Sequence, residues 1–136
     1  MTEVVLDTSV AVPLLLTSHV AHREVSASLG DRSVALAGHA LHETYAVLTR
    51  LPGDARVAPA DAVRLLRERF ESAAVLDARS VRSAPAVLAA AGVSGGATYD
   101  GLVALAALSA DLPLATRDRR AQSTYRLLGV SVEMLG

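Results

Sequence analysis

Two spacings of apolar residues alternate along the chain. Val63, Leu66 and Phe70 recur every three or four positions, which is typical of an amphipathic helix. Shorter apolar runs lie between stretches of this kind and predict strands, namely EVVLD, RSVALA, AAVLD, LPLAT and VSVEML. Strands that alternate with helices through right-handed crossovers form a parallel sheet. The pattern therefore predicts a three-layer α/β fold, with a mostly parallel central sheet and helices on both faces.

Glycine, proline and a hydroxyl residue mark the limits of the predicted helices. Gly30 closes a helix that starts near His19, the turn signature PGD stops HALHETYAVLTRL, and Gly129 ends RDRRAQSTYRLLG. Thr98 is expected to cap YDGLVALAALSA, and Pro85 to break or offset SVRSAPAVLAAAG. The one loop of linker-like composition, GVSGGAT, is too short to separate domains. We therefore expect the 136 residues to form a single domain, 1–136.

Composition excludes several classes of chemistry. All 13 basic residues are arginine, so no P-loop lysine and no Schiff-base lysine is present. The absence of cysteine excludes a thiolate metal site and suits a reducing cytosol, so we expect a cytoplasmic protein. The apolar stretch GLVALAALSA is far shorter than the ~20 residues that a membrane span needs. The chain is therefore predicted to be soluble and not to enter a membrane.

Two acidic residues follow predicted strands. Asp7 ends the first strand, and Asp118 comes two residues after the strand that closes at Thr116. In parallel sheets, ligands bind at the carboxyl ends of the strands, so adjacent strands would bring both acids to one rim. The alternative for each is a simple N-cap of the next helix.

Two further acids lie on predicted helices. Asp100 falls in the first turn of an almost wholly apolar helix, where an acid that only complements the helix dipole is the alternative. Glu43 points away from the Leu41 and Tyr45 stripe and shares its face with Arg50, which a solvated face also explains. Position alone does not separate the functional from the structural interpretation of these acids.

The segments LDTSV, HETYAVLTRL, TYDGLVALAA and LATRDRRA carry these acids. In this order and at this spread they resemble the four acidic motifs of PIN domains, and particularly of VapC-type toxins. The match spans nearly the whole chain, and the sequence departs little from the family's pattern. One departure is Gly101, where the family often has Ala. The resemblance implies Asp7, Glu43, Asp100 and Asp118 as the catalytic and metal-binding acids. It also implies accompanying hydroxyl residues, and we expect Thr8, Ser9 and Thr116 in this role to bind the substrate.

A cluster of four acids has a physical rationale. Two carboxylates about 4 Å apart repel by ~4 kcal/mol at an effective dielectric constant of about 20, and a divalent cation removes that repulsion. Ligands that are all oxygen favour Mg²⁺ or Mn²⁺. We therefore expect metal-assisted hydrolysis of a phosphodiester.

The charge that remains outside the four acids suits a polyanion. Removing them from the net charge of −1 leaves +3. Arg117, Arg119 and Arg120 flank Asp118 and are candidates to hold a phosphate, although ordinary solvated charge is the alternative. RNA as the substrate, a VapB-type antitoxin that covers the cleft and a homodimer are implied by the resemblance alone.

Three other functions stay open from the sequence. HALHE places His39, His42 and Glu43 close together, as in a zinc hydrolase, yet it matches neither H-E-x-x-H nor H-x-x-E-H. A DNA nuclease could use the same acidic cluster. A PIN-like module could also bind a partner without catalysis, although four intact acids argue against it.

Overall fold

A five-stranded sheet forms the centre of the molecule in the computed structural model, which describes residues 3–136. The strands are β1 (Val4–Leu6), β2 (Val34–Ala37), β3 (Ala73–Ala74), β4 (Leu114–Thr116) and β5 (Val132–Met134). Their spatial order is β3-β2-β1-β4-β5, and every neighbouring pair is parallel. The predicted three-layer α/β fold is confirmed.

Seven helices connect and cover the strands. They are α1 (Thr8–Leu15), α2 (His22–Leu29), α3 (Gly38–Arg50), α4 (Pro59–Arg69), α5 (Ala78–Ala90), α6 (Ala97–Ser109) and α7 (Arg119–Leu128), with a short 3₁₀ turn at Gly53–Ala55 between α3 and α4. No helix within residues 3–136 is long and apolar enough to cross a membrane.

The inner strands are apolar along their whole length. Every residue of β1 and β2 is buried, as expected for parallel strands that are covered on both faces. The outer strands are less covered, since β3 has only two residues and all three residues of β5 are partly exposed. The order in which strands are added to the sheet reverses at β1, because β2 and β3 lie on one side of it and β4 and β5 on the other. Such a reversal places the site at the carboxyl ends of β1 and β4.

Two helices start elsewhere than their sequences predict. Helix α2 begins at His22 rather than near His19, because the His19 ring accepts a hydrogen bond from the Ala21 amide at 3.0 Å and holds the preceding residues in turns. Helix α6 begins at Ala97 with Gly96 as its N-cap, so Thr98 lies inside the first turn and does not cap it. The start of α2 thus depends on a local hydrogen bond that apolar spacing does not reveal, whereas α6 begins one residue before Thr98 without a side-chain cap.

Helix α5 is continuous through Pro85, which was expected to break or offset it. The helix starts at Ala78 and is capped by Asp77, whose carboxylate accepts the Ser80 amide at 2.8 Å. Proline removes the hydrogen bond to the carbonyl four residues earlier, at Val81. The helix nevertheless continues to Ala90, on a part of the surface where Val81 is 55% exposed.

Candidate acidic active site

Asp7 lies at the junction of β1 and α1 and is almost fully buried. Its Oδ1 accepts hydrogen bonds from the Ser9 amide at 3.0 Å and the Ser9 hydroxyl at 2.6 Å. Its Oδ2 accepts a hydrogen bond from the Tyr125 hydroxyl at 2.8 Å. Asp7 therefore does cap α1, as the structural interpretation predicted, and it also faces the edge of the sheet at which β4 ends.

Burial dominates the electrostatics of Asp7. It raises the pKa of this carboxyl, and the hydrogen bonds from Ser9, Thr116 and Tyr125 only partly oppose the effect. Within residues 3–136 no basic side chain forms an ion pair with Asp7. A buried carboxylate in these surroundings would be stabilised in its charged form by a cation.

Two hydroxyls join Asp7 to the segment that carries Asp118. Ser9 Oγ lies 3.3 Å from Thr116 Oγ1 and accepts the Arg117 amide at 2.7 Å. Thr116 Oγ1 also accepts the Asp118 amide at 3.0 Å, so this chain of hydrogen bonds fixes Asp118 relative to Asp7.

Asp118 caps α7 through one of its two oxygens. Its Oδ1 accepts the amides of Arg120 at 2.9 Å and Ala121 at 3.4 Å, and Arg120 Nε lies 3.8 Å from the same atom. Within residues 3–136 no hydrogen bond to Oδ2 is formed. One oxygen of Asp118 is thus a helix cap, and the other remains available to a ligand.

The pKa of Asp100 is raised by burial and, in part, by the charges of the other three acids. Burial is the largest cause of its raised pKa, followed by the charges of Asp118, Asp7 and Glu43. The nearby charge of Arg120 acts in the opposite direction. Asp118, Asp7 and Glu43, which are far from Asp100 in sequence, therefore each lie close enough to Asp100 in space for their charges to act on it.

Gly101, the departure noted in the sequence, has a packing role. A Cβ at this position would lie 2.5 Å from Leu88 Cδ2 of α5. Glycine therefore allows α5 to approach α6 directly behind Asp100. It is not a ligand, and its effect on the site is limited to where α6 sits.

Glu43 is the most exposed of the four acids and lies next to a stacked pair of rings. Its Oε2 is 4.0 Å from His39 Nε2. The His39 ring stacks on Tyr99, with centroids 5.1 Å apart and planes 16° from parallel. Since Tyr99 precedes Asp100, this stack connects the helices that carry Glu43 and Asp100.

The acids approach one region without forming a compact cage. Across residues 3–136, no three side chains of His, Asp or Glu are gathered as closely as the ligands of a metal ion. This applies both to the four acids and to His39, His42 and Glu43, the set of the zinc alternative. Carboxylates that repel one another are expected to stay apart until a cation bridges them.

Tyr125 was missed by the sequence analysis. It is only 1% exposed, and its hydroxyl binds Asp7 from the last turns of α7. Burial and the Asp7 charge raise the pKa of Tyr125, so it is a neutral donor. A signal was present in the sequence, because Ala121 and Tyr125 lie four residues apart on the buried face of α7, but nothing indicated where the hydroxyl pointed.

An open cleft adjoins the acids on the side of Asp118. It has a volume of about 530 Å³. Its walls come from both ends of α1, the turn after it, α3 and the start of α7, and its lining residues are Thr8, Ser9, Val12, Pro13, His19, Val47, Arg117, Asp118, Arg119 and Arg120. Five of these residues are ones that the sequence suggested as contacts for the substrate or its phosphate, namely Thr8, Ser9, Arg117, Arg119 and Arg120.

Fold and site define a three-layer α/β domain with acidic residues at the carboxyl ends of its central strands. The family model of the PIN domain matches residues 4–127. Ribonuclease VapC27 of Mycobacterium tuberculosis (strain ATCC 25618 / H37Rv) is 55% identical over 127 residues, which are 93% of each chain. The chain therefore belongs to the PIN-domain family, in the branch that contains the VapC ribonucleases.

Two further similarities agree with this assignment. Ribonuclease VapC40 of Mycobacterium tuberculosis (strain CDC 1551 / Oshkosh) is 45% identical over 130 residues, covering 95% of this chain and 96% of that protein. The crystal structure of VapBC2 from Rickettsia felis bound to a DNA fragment from their promoter superposes with a TM-score of 0.70. The superposition covers 99% of this chain and 100% of the Rickettsia felis chain. Because the two sequences are only 15% identical, this similarity supports the fold alone.

Proposed function

We propose that this chain is an endoribonuclease that hydrolyses RNA phosphodiester bonds with the help of a divalent metal ion, and that it is the toxin of a VapBC-type pair. The observation that carries the proposal is that, in addition to burial, the charges of Asp118, Asp7 and Glu43 all act on Asp100 and raise its pKa. Relatives that are 55% and 45% identical over nearly their whole length are ribonucleases by name, which supports RNA over DNA as the substrate.

The donor set fits a hard divalent cation. Asp7, Glu43, Asp100 and Asp118 offer only carboxylate oxygens, which suit Mg²⁺ and, as an alternative, Mn²⁺. The burial of Asp7 and the repulsion on Asp100 both favour a cation at this place. When bound, such an ion supplies Lewis acidity to the phosphate and lowers the pKa of water.

The chain's own residues hold the acids in place. Ser9 and Tyr125 donate to opposite oxygens of Asp7, so the carboxylate cannot rotate freely. Thr116 is fully buried, so we assign it a positioning role through Ser9 and the Asp118 amide in place of the substrate contact expected from the sequence. An acid that is already oriented reacts without the cost of ordering it during the reaction.

Thr8, Ser9, Arg117 and Arg119 are the proposed RNA contacts. All four line the cleft beside Asp118, and arginine presents several donors to a phosphate. We expect a VapB-type antitoxin to cover this region and the active protein to be a homodimer. The RNA substrate places the proposed activity in the cytoplasm.

Cleavage assays test the proposal directly. The wild-type protein should cut RNA in Mg²⁺ or Mn²⁺, should lose that activity in EDTA, and should leave single-stranded DNA of the same sequence intact. The Asp7→Asn, Asp100→Asn double variant should lose at least about 100-fold in rate, because it removes two of the proposed ligands. Robust cleavage by the folded double variant would contradict the acidic site, and equal cutting of DNA would favour the DNA nuclease.

A further inference from the structure

The cleft beside Asp118 combines an apolar floor with a basic rim. Val12 and Pro13 of α1 are buried at its base, and Val47 of α3 is partly buried there. Arg119 and Arg120 stand exposed at the start of α7. A cleft with apolar residues at its base and arginines at its edge suits a ligand that has a flat, weakly polar ring and a negatively charged group bonded to it.

The size and openness of the cleft restrict what it can take. A volume of about 530 Å³ lies in the range of small-ligand sites and accommodates one nucleotide. A duplex would need a much broader surface, since its bases are stacked and paired inside the helix. Unpaired RNA, in contrast, presents single bases to shallow sites of this kind.

A phosphate in the cleft would be held by side chains. The amides of Arg120 and Ala121 already donate to Asp118, so they are not available to an anion. Arg117 also lines the cleft, but its guanidinium lies beside Gly136, which is not a cleft residue. We therefore assign the phosphate to the exposed side chains of Arg119 and Arg120.

A hydrogen bond determines which nitrogen of the neutral His19 ring carries the proton. Its Nδ1 lies 3.0 Å from the Ala21 amide, which can only donate, so Nδ1 is the acceptor. In the neutral ring the proton is therefore on Nε2. His19 thus brings to the cleft wall a flat ring with one donor nitrogen, and such rings stack on nucleobases.

We propose that this cleft binds one unpaired nucleotide of RNA next to the bond that is cut. The base lies over Val12, Pro13 and Val47 and stacks on His19. The adjoining phosphate contacts Arg119 and Arg120. This subsite depends on the proposed ribonuclease function for its position beside the acids, and it assigns the contacts with one nucleotide to side chains of α1, the turn after it, α3 and the start of α7.

Binding to metal-free protein tests the subsite without cleavage. A short fluorescently labelled single-stranded oligoribonucleotide is titrated in EDTA against the wild type and His19→Asn. Asparagine keeps an acceptor for the Ala21 amide but removes the ring. We expect His19→Asn to weaken binding about tenfold, because stacking of one base contributes about that much. The same oligonucleotide paired with its complement should bind more weakly than the single strand.

The salt dependence of binding distinguishes the contribution of the arginines from that of the His19 ring. Arg119→Ala should lower the slope of log affinity against log salt by about 0.7, as expected for one lost phosphate contact on a single strand. His19→Asn should leave that slope unchanged. Arg82→Ala, on α5 and outside the cleft, and His42→Asn, exposed on α3, serve as matched controls and should change neither quantity.

The outcomes distinguish the subsite from the catalytic proposal. Unchanged single-strand affinity in folded His19→Asn, or equal affinity for the duplex, would overturn the subsite even if RNA is cut normally. Loss of antitoxin binding without loss of RNA binding in His19→Asn would also overturn it and assign the cleft to a protein. Specific binding by a wild-type protein that cuts no RNA with added metal would overturn the ribonuclease and retain the subsite.

Discussion

At the scale of single residues, the environment of Asp7 determines what the site can bind. The carboxylate is 5% exposed and both of its oxygens accept hydrogen bonds, from Ser9 on one side and Tyr125 on the other. Partners of this kind fix the orientation of a metal-binding carboxylate. Two predictions concern individual side chains near Asp7, namely those of Tyr125 and Asp100.

Tyr125→Phe should weaken metal binding without unfolding the protein. The change keeps the buried ring and removes only the hydroxyl that holds Asp7 Oδ2. Removing such a supporting contact costs about tenfold in metal affinity. Mn²⁺ binding followed by electron paramagnetic resonance measures the effect, with Tyr45→Phe, a partly buried tyrosine on α3, as the matched control. Equal Mn²⁺ affinity in both variants would contradict a positioning role for Tyr125.

Asp100→Asn should stabilise the metal-free protein and flatten its pH dependence. The pKa of Asp100 is raised above its ordinary value of 3.8, so around that pH the folded state binds more protons than the unfolded chain. In EDTA, the contribution of this group to stability therefore falls as the pH rises through the raised pKa.

Thermal unfolding in EDTA across the acid-to-neutral range checks this expectation. The difference in melting temperature between variant and wild type should grow as the pH rises and be largest near neutral pH. Added Mg²⁺ should reverse the order, because the wild type then gains a bound ion. A variant that melts below the wild type in EDTA at neutral pH would show that the acids do not repel one another as inferred.

At the scale of elements, the ends of the strands position the acids and the packing of the helices sets their separation. Asp7 and Asp118 follow β1 and β4, which are neighbours in the sheet, whereas Asp100 depends on where α6 lies against α5. The contact of Gly101 with Leu88 therefore bears on the geometry of the site.

Gly101→Ala should change the free energy of unfolding by less than about 1 kcal/mol, because two effects oppose each other. The new methyl group would meet Leu88 Cδ2 at 2.5 Å, but this atom is the free end of a leucine side chain that can turn away. Replacing a glycine inside a helix by alanine also stabilises the helix by about 1 kcal/mol. Leu88→Ala alone should cost more, about 2–5 kcal/mol, since Leu88 is buried. In the double variant the losses should be smaller than their sum, as urea unfolding of all four proteins would reveal. Strict additivity would mean that the two residues do not contact each other.

The elements could largely be predicted from the sequence, while their ends and the polar contacts could not. Buried parallel strands are continuous apolar runs, so β1, β2 and β4 were recognisable and placed Asp7 and Asp118 correctly at strand ends. The start of α2 was wrong because the hydrogen bond from the Ala21 amide to His19 has no periodic signature. The contact of Tyr125 with Asp7 joins residues 118 positions apart, and no local pattern encodes it.

At the scale of the whole molecule, the all-parallel sheet brings together acids from four distant segments. Asp7 and Asp118 cap the starts of α1 and α7, Asp100 lies in the first turn of α6, and Glu43 lies near the middle of α3. The membership of the PIN-domain family and the 55% identity to Ribonuclease VapC27 agree with this arrangement. The central claim is that these acids form one divalent-metal site and that RNA is cut there.

A crystal of the protein soaked in Mn²⁺ tests that claim most directly, through the anomalous scattering of the ion. We predict a peak bound by oxygens of Asp7 and at least one of Asp100 and Asp118, which disappears in the Asp7→Asn, Asp100→Asn variant. A peak beside His39 and His42 with none among the four acids, or no peak in the wild type at saturating Mn²⁺, would contradict the account.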